Sequence, residues 1–250
     1  MTQTLNRARV TEGWAVQILL LTWAAGSMDA LGYLGLDHVF TANMTGNTVL
    51  LGLAVGRGQV LAALRSVSAL LGFVVGLAVG ASVIEAQKPA SDTKRAVSRA
   101  ILVEGAVLAA FTVLWHLPVR ETSPAMLQAL ILSSAGAMGI QSAIVRRLNL
   151  PGIATTYITG TLTSFVAGIV GRMGRAKKLT RSTGIASRAS FGDHRVQLQA
   201  GVFFVYMMAA VMSGVLQTRV SSLVAFSPLV AIALAWVRVL RSNAGEEAAA

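Results

Sequence analysis

The sequence predicts an all-α integral membrane protein: six transmembrane helices plus two short broken or re-entrant segments, arranged as two inverted repeats. Three observations carry this reading. The chain is 54% hydrophobic and only 12% charged, about half the charge of a soluble domain. Its eight apolar runs hold only two formal charges, Asp29 and Glu104. The order of apolar run, Thr-Gly segment, run, run occurs twice. The alternative is eight crossing helices in two parallel repeats.

The runs are Trp14–Leu36, Thr41–Gly56, Ser66–Ile84, Ala100–Leu117, Met126–Val145, Ile153–Gly171, Gln197–Gln217 and Ser222–Val237. A hydrocarbon core takes about 20 helical residues, and a charge at its centre costs about 2.5–3.5 kcal/mol on insertion scales. Six of the runs reach 18 residues or more. Arg7 and Arg9 before the first run resemble the start of a signal peptide. The apolar stretch continues to Leu36, past the about 7–15 residues of a signal's apolar region, so it reads as a span. The chain divides into a cytoplasmic N-terminal segment, 1–13, a first membrane repeat, 14–117, a second, 126–238, and a disordered cytoplasmic tail, 239–250.

The repeat is clearest at the Thr-Gly segments. At an offset of 114, Thr41 matches Thr155, Thr45 matches Thr159 and Gly46 matches Gly160. Upstream, Ala25-Gly26-Ser27-Met28 resembles Ala135-Gly136-Ala137-Met138. The apolar part of the first segment, Thr48–Gly56, has nine residues, a helix of about 14 Å, or half a bilayer. Polar residues alternate before it (Thr41, Asn43, Thr45, Asn47) and in the second copy (Thr155, Tyr157, Thr159, Thr161, Thr163). Period two suggests extended backbone, tolerated at membrane depth only when buried in protein or lining a wet cavity. An ordinary helix with Thr bonded to its own backbone is the other reading. Charge counting favours the broken segments. Six spans put 17 of the 21 Lys and Arg on the cytoplasmic side, against 14 for eight spans, and cytoplasmic loops are the basic ones.

Asp29 shares a small, polar helical face with Thr22, Gly26, Gly32 and Tyr33. An intramembrane carboxylate by default suggests a proton or cation site; a structural acceptor is the alternative. Asn43, Thr45, Asn47, Thr159 and Thr161 are candidate ligands for a polar solute, or caps of half-helices whose N–H groups are free. Gly46 and Gly160 complete the structural motif. Glu104 lies five residues into its run, within snorkelling reach of the interface and of Arg99 or Arg65. His116, beside Trp115, reads as an interface residue. Gly72, Gly76 and Gly80 recur every four residues, a stripe for helix packing or homo-oligomer contact. The basic loop 172–196 suits anionic lipid headgroups better than nucleic acid. With no cysteine and one histidine inside a run, no metal site is expected. No nucleophile elbow, zinc-protease motif, phosphate loop or dinucleotide fingerprint occurs, so neither an enzyme nor a cofactor is expected.

The strings Asp29-Ala-Leu-Gly-Tyr-Leu-Gly35 and Val39-Phe-Thr-Ala-Asn-Met-Thr-Gly-Asn47 resemble the YoaK-like family of bacterial multi-spanning inner-membrane proteins, a domain of unknown function. The resemblance covers about residues 14–240. It implies location and no catalytic residues. Its motif residues here are Asp29, Thr41, Asn43, Thr45, Gly46 and Asn47, with Thr159 and Gly160 in the second half. The second copy replaces both Asn residues, by Tyr157 and Thr161, so the halves are not chemically equivalent.

The expected function is a secondary transporter or channel-like permease for a small polar solute, proton-coupled through Asp29, in the bacterial cytoplasmic membrane with both termini cytoplasmic. The alternative is a non-transporting scaffold or sensor assembled through its Gly-rich helices. Reporter fusions test the six-span topology: a fusion after Gly58 reports an external position and one after Asn149 a cytoplasmic one. The reverse pattern excludes it.

Overall fold

A computed structural model describes residues 2–86, 93–118, 123–150, 152–183 and 190–247, with side chains from 13 onward except 172–193 and 243–247. Among the described residues every regular element is helical: α1 (Thr2–Gly35), α2 (Met44–Gly56), α3 (Val60–Glu85), α4 (Thr93–Trp115), α5 (Pro124–Leu148), α6 (Ile158–Thr183), α7 (Ser190–Arg219) and α8 (Phe226–Glu247). Within α1, α3, α4, α5 and α7, stretches of 23–26 residues are long and apolar enough to cross a membrane. The chain is an all-α membrane protein. A helix is what such runs must form, because it pairs each backbone N–H and C=O within the segment, where lipid offers no partner.

The ends are set by local chemistry. After α1, Asp37 and His38 both take positive φ, 58° and 65°, a conformation that breaks a right-handed helix. Ser123 caps α5 through the Met126 N–H at 3.3 Å, and Pro124 follows at the first helical position, where its missing donor is harmless. Asn149 closes α5 in the left-handed conformation, with Arg146 and Arg147 in the last turn against the helix dipole.

Glycine contacts give the helix directions. A Cβ at Gly72 would meet Leu132, one at Gly76 would meet Gly136, and one at Gly80 would meet Ile140 and Ala143. Numbers rising together mean that α3 and α5 run parallel, backbone to backbone. Leu19 against Gly201, and Gly26 against Tyr206 and Ala209, make α1 and α7 parallel too. Gly105 faces Ile232, and Thr112 bonds the Ala225 carbonyl at 3.3 Å, so α4 and α8 are antiparallel. Gly35 meets Trp115, so α1 and α4 end together. Thus α1, α4 and α7 run one way and α3, α5 and α8 the other. The start of α1 and the end of α8 share one end of the bundle.

The packing pairs recur between the halves. α3 lies on α5 as α7 lies on α1; α4 lies on α5 as α8 lies on α1; α2 lies on α3 as α6 lies on α7. The spanning windows of α1 and α5 are 67% buried, those of α3 and α7 only 33% and 28%. The core therefore centres on α1 and α5, with Leu21, Met28, Leu130, Met138 and Phe111 of α4 sealed within it. Apolar side chains on α3 (Leu71, Val74, Val75) and α7 (Phe204, Val211, Val215) face outward, as lipid-facing surfaces do.

α2 does not traverse the bundle. Its first turn adjoins the loop held by Asp29, six residues or about 9 Å before α1 ends. It then runs along α3 to the three-residue turn that starts α3. Arg65, in the second turn of α3, pairs with Asp37 at 2.9 Å, fixing the α1 end at the same level. α2 therefore starts in mid-bundle and returns to the end where α1 finishes.

Three expectations are corrected. Extended backbone is confined to the approach, since helices begin at Met44 and Ile158; the alternating polar residues serve as caps and latches instead. The tail from 239 is helical as far as Glu247, and residues 2–13 are continuous with α1. α6 runs on to Thr183, past its apolar part at Gly171. The side chains of the basic loop from 172 to 193 lie outside the described residues.

The α3–α5 seam generates a prediction. A Cβ at Gly76 would sit 1.9 Å from the Gly136 carbonyl oxygen, whereas one at Gly52 meets nothing within 4 Å. Overpacking costs about 1–3 kcal/mol or more. Gly76→Ala should lower the thermal unfolding midpoint in detergent, while Gly52→Ala leaves it unchanged or raised.

Candidate functional site

The first Thr-Gly segment is held by Asp29. One carboxylate oxygen accepts the backbone N–H groups of Thr41 (2.8 Å), Ala42 (2.6 Å) and Asn43 (3.2 Å); the other accepts the hydroxyl of Tyr206 on α7. Three successive N–H groups converging on one oxygen form an anion nest, here filled by the protein's own side chain. Asp29 is only 4% exposed. Asn43 then caps α2 by accepting the Gly46 N–H at 3.1 Å. Asn47 reaches back seven residues: its side-chain oxygen accepts the Phe40 N–H at 2.9 Å and its amide donates to the Phe40 carbonyl at 2.6 Å. Gly46 is needed because a Cβ there would lie 2.8 Å from the Phe40 ring. The loop passes equally close to Gly32, where a Cβ would meet the Val39 carbonyl oxygen at 2.7 Å.

The second segment is built alike with different atoms. The Thr161 hydroxyl accepts the Ala154 N–H and donates to the Ala154 carbonyl, both at 3.0 Å. This is the Asn47–Phe40 latch displaced by 114 residues. Among the described residues no carboxylate bonds this loop. The Gln141 amide donates to the Thr155 hydroxyl at 2.8 Å and to the Leu21 carbonyl on α1 at 3.0 Å. Ser142 pairs with Thr156 at 2.8 Å, and Gln199 of α7 donates to the Gly152 carbonyl at 3.0 Å. Gly152 has a φ of +73°, and a Cβ there would press on Gln199 and Ser164 at 2.8 Å. Gly160 abuts the Tyr157 ring.

The structure gathers Asp29, Asn43 and Asn47 around one loop, and Thr161 around the other. Thr45 and Thr159 are exposed in the first turns of α2 and α6. Among the described residues α2 and α6 form no packed pair; α2 lies on α3 and α6 on α7. The loops are linked through α1 and α7. On α1 Asp29 holds the first loop directly and Leu21, eight residues before it, holds Gln141, which bonds the second; on α7 Gln199 bonds the second loop and Tyr206, seven residues on, bonds Asp29. At 1.5 Å per residue the loops are gripped at levels about 10–12 Å apart. Beside the second loop lies a cavity of ≈ 260 Å³ lined by Ser142, Thr155, Thr156, Arg146 and Asn149 among others. Arg146 and Asn149 also border a wider groove of ≈ 710 Å³ between the ends of α3 and α5.

The sequence does not single out Tyr206, Gln141, Ser142 and Gln199, because they are neutral and lie outside the matched Thr-Gly segments. Glutamines inside apolar runs were the available signal. Glu104 needs correction. It is 0% exposed, with no hydrogen-bond partner for either oxygen among the described residues. It does not snorkel to Arg65, which pairs with Asp37. α4 runs from Thr93 to Trp115, so Glu104 sits about 16 Å along it, midway between its ends. His116 bridges the end of α4 to the loop between α7 and α8, bonding the Thr112 and Ser222 carbonyls at 2.7 Å each. The Gly72–Gly80 stripe is occupied by α5 of the same chain. Among the described residues no cluster of metal-ligating side chains occurs.

A family model described as protein of unknown function (DUF1275) matches residues 17–239. Over 154 residues the chain is 38% identical to the UPF0700 transmembrane protein YoaK of Bacillus subtilis (strain 168); the match covers 62% of this chain and 66% of that protein, just under two thirds of its length. No solved structure matches.

The Asp29 nest sets a second prediction. Asp29→Asn keeps an acceptor for the three N–H groups and turns an amide toward Tyr206. Asp29→Leu orphans the three donors, at about 1–3 kcal/mol each. Thermal unfolding in detergent should show the Asn variant near the parent and the Leu variant far below it or failing to accumulate. Equal stability of the two would show that the nest holds nothing.

Proposed function

The chain belongs to the DUF1275 family of unknown function, and from that membership and the two loop–helix segments we propose that it is a secondary transporter or channel-like permease for a small polar solute in the bacterial cytoplasmic membrane. The crossing helices in this reading are α1, α3, α4, α5, α7 and α8. α2 and α6 enter from opposite sides as half-helices, and the halves α1–α4 and α5–α8 are inverted repeats. Both termini are cytoplasmic, and the basic stretch Arg172–Arg195 faces anionic headgroups.

The observation that carries the proposal is the pair of short apolar helical stretches, Met44–Gly56 and Ile158–Gly171, whose starts are held inside the bundle by buried polar side chains. Maintaining irregular backbone there is costly, and in membrane proteins it accompanies a polar pathway at the midplane. The recurrence of the Asn47 latch as Thr161, together with the matched helix pairs, supports the repeat. The cavity of ≈ 260 Å³ beside the second loop fits a solute of a few heavy atoms, held by Ser142, Thr155 and Thr156. Thr45 and Asn43 on one side, and Thr159 on the other, would line its path. Asp29 acts here as the pin of the first loop. The scaffold reading loses its main feature, since the glycine stripe is consumed within the chain. No catalytic role enters the reading.

The chain has no cysteine, so single cysteines can be labelled without background. In sealed, oriented vesicles, Thr45→Cys should react with a membrane-impermeant maleimide from the external face and Thr159→Cys from the cytoplasmic face. Labelling of both from one face would exclude inverted half-helices. Proteoliposomes should also re-swell after osmotic shrinkage with at least one solute from a panel of small polar compounds, and Thr156→Val should slow that flux about tenfold or more. That slowing corresponds to about 1.4 kcal/mol.

A further inference from the structure

We propose that Glu104 is an intramembrane proton-binding site, and that it is the carboxylate that couples this protein to a proton gradient. The coupling half rests on the transport reading; the proton site does not.

Glu104 lies on the buried face of α4 with Ile101, Leu108 and Phe111, all 0% exposed. Neither of its oxygens has a hydrogen-bond donor among the described residues. Among the described residues no charged side chain pairs with it from the helices packed on α4. On α5 the charged residues are Arg146 and Arg147, in the last turn; on α8 Arg238 and Arg241 are exposed and lie beyond Ile232, the residue that faces Gly105; on α3 Arg65 and Glu85 lie toward the ends, and Arg65 is committed to Asp37. On α4 itself Lys94, Arg95 and Arg99 are in the first two turns, Arg99 exposed, and His116 lies past the end.

A carboxylate sealed among apolar side chains with no protein donor or counter-charge does not remain a bare anion; it takes up a proton or binds a cation. A metal cation needs several oxygen ligands, and no second polar atom bonds Glu104. The occupant is therefore a proton. Asp29 is the contrast: its oxygens receive four donors, which fix it as an acceptor in the fold. Glu104 holds no backbone in place, so its carboxyl group contributes nothing that an apolar side chain would not supply better, except the capacity to gain and lose a proton. When a rearrangement admits water beside α4, the proton leaves to that water. When the bundle closes, it returns.

The test uses the full-length protein in lipid vesicles and a hydrophobic carbodiimide, which modifies carboxyl groups that carry a proton in apolar surroundings. Peptide mapping should find the adduct on Glu104 and not on Asp29, with labelling lost as the buffer goes from mildly acidic to mildly alkaline. Glu104→Gln should abolish the adduct with the same elution profile as the parent. If that variant does not fold, the infrared carbonyl band of a protonated carboxyl, followed with pH in the unmodified protein, gives the same answer. An adduct on Asp29 alone, labelling of Glu104 that does not change with pH, or protection by sodium ions would each overturn the proposal. None of these readouts needs a transported solute, so a protein that moves nothing but titrates at Glu104 would sink the transport reading and leave the proton site standing.

Discussion

A backbone N–H inside an apolar bundle must find an acceptor, and much of this fold follows from how that requirement is met between helices. Within a helix the chain supplies its own acceptors. Between α1 and α2 it does not, and the three N–H groups of residues 41–43 turn instead to Asp29. That arrangement determines where α2 begins, and so which way it runs and which face of α3 it covers. It also recruits α7, because the remaining carboxylate oxygen takes the Tyr206 hydroxyl. One side chain thereby ties a helix, a loop and a helix from the other half of the chain.

The second half meets the same requirement without a charge. Hydroxyls and amides share the load: Thr161 latches Ala154, Gln141 and Ser142 hold Thr155 and Thr156, and Gln199 takes the Gly152 carbonyl. Several neutral bonds replace one ionic nest. The two loops thus have the same shape and different chemistry. The cavity adjoins the loop that lacks the carboxylate.

What could be read from the sequence, and what could not, divides along physical lines. Spans are legible because lipid excludes charge, leaving runs that composition alone reveals. Asp29 stands out for the same reason, and Asn43, Asn47 and Thr161 fall on the matched segments. Tyr206 is not legible as Asp29's partner: it is neutral, it sits in an unremarkable apolar run, and 177 residues separate them. Glu104 reads from the sequence as able to reach the interface, because hydropathy gives a position along a run and not the face of the helix that the bundle covers; its neighbours Ile101, Leu108 and Phe111 are all sealed. The alternation of polar residues also misled: a period of two across 41–47 reflects a cap followed by a latch, and neither requires a strand.

The seam between α3 and α5 has a mechanical consequence. Gly72, Gly76, Gly80, Gly136 and Gly139 bring two parallel backbones together with almost no side chain between them. Interlocked side chains act as teeth, and a surface without teeth resists separation far more than it resists sliding. The equivalent contact of α1 with α7 carries a cog, the Tyr206 hydroxyl meshed with Asp29. The two halves therefore meet along two seams of different kind, a smooth one at α3 and α5 and an indexed one at α1 and α7, and only the second fixes their axial register through a side-chain hydrogen bond.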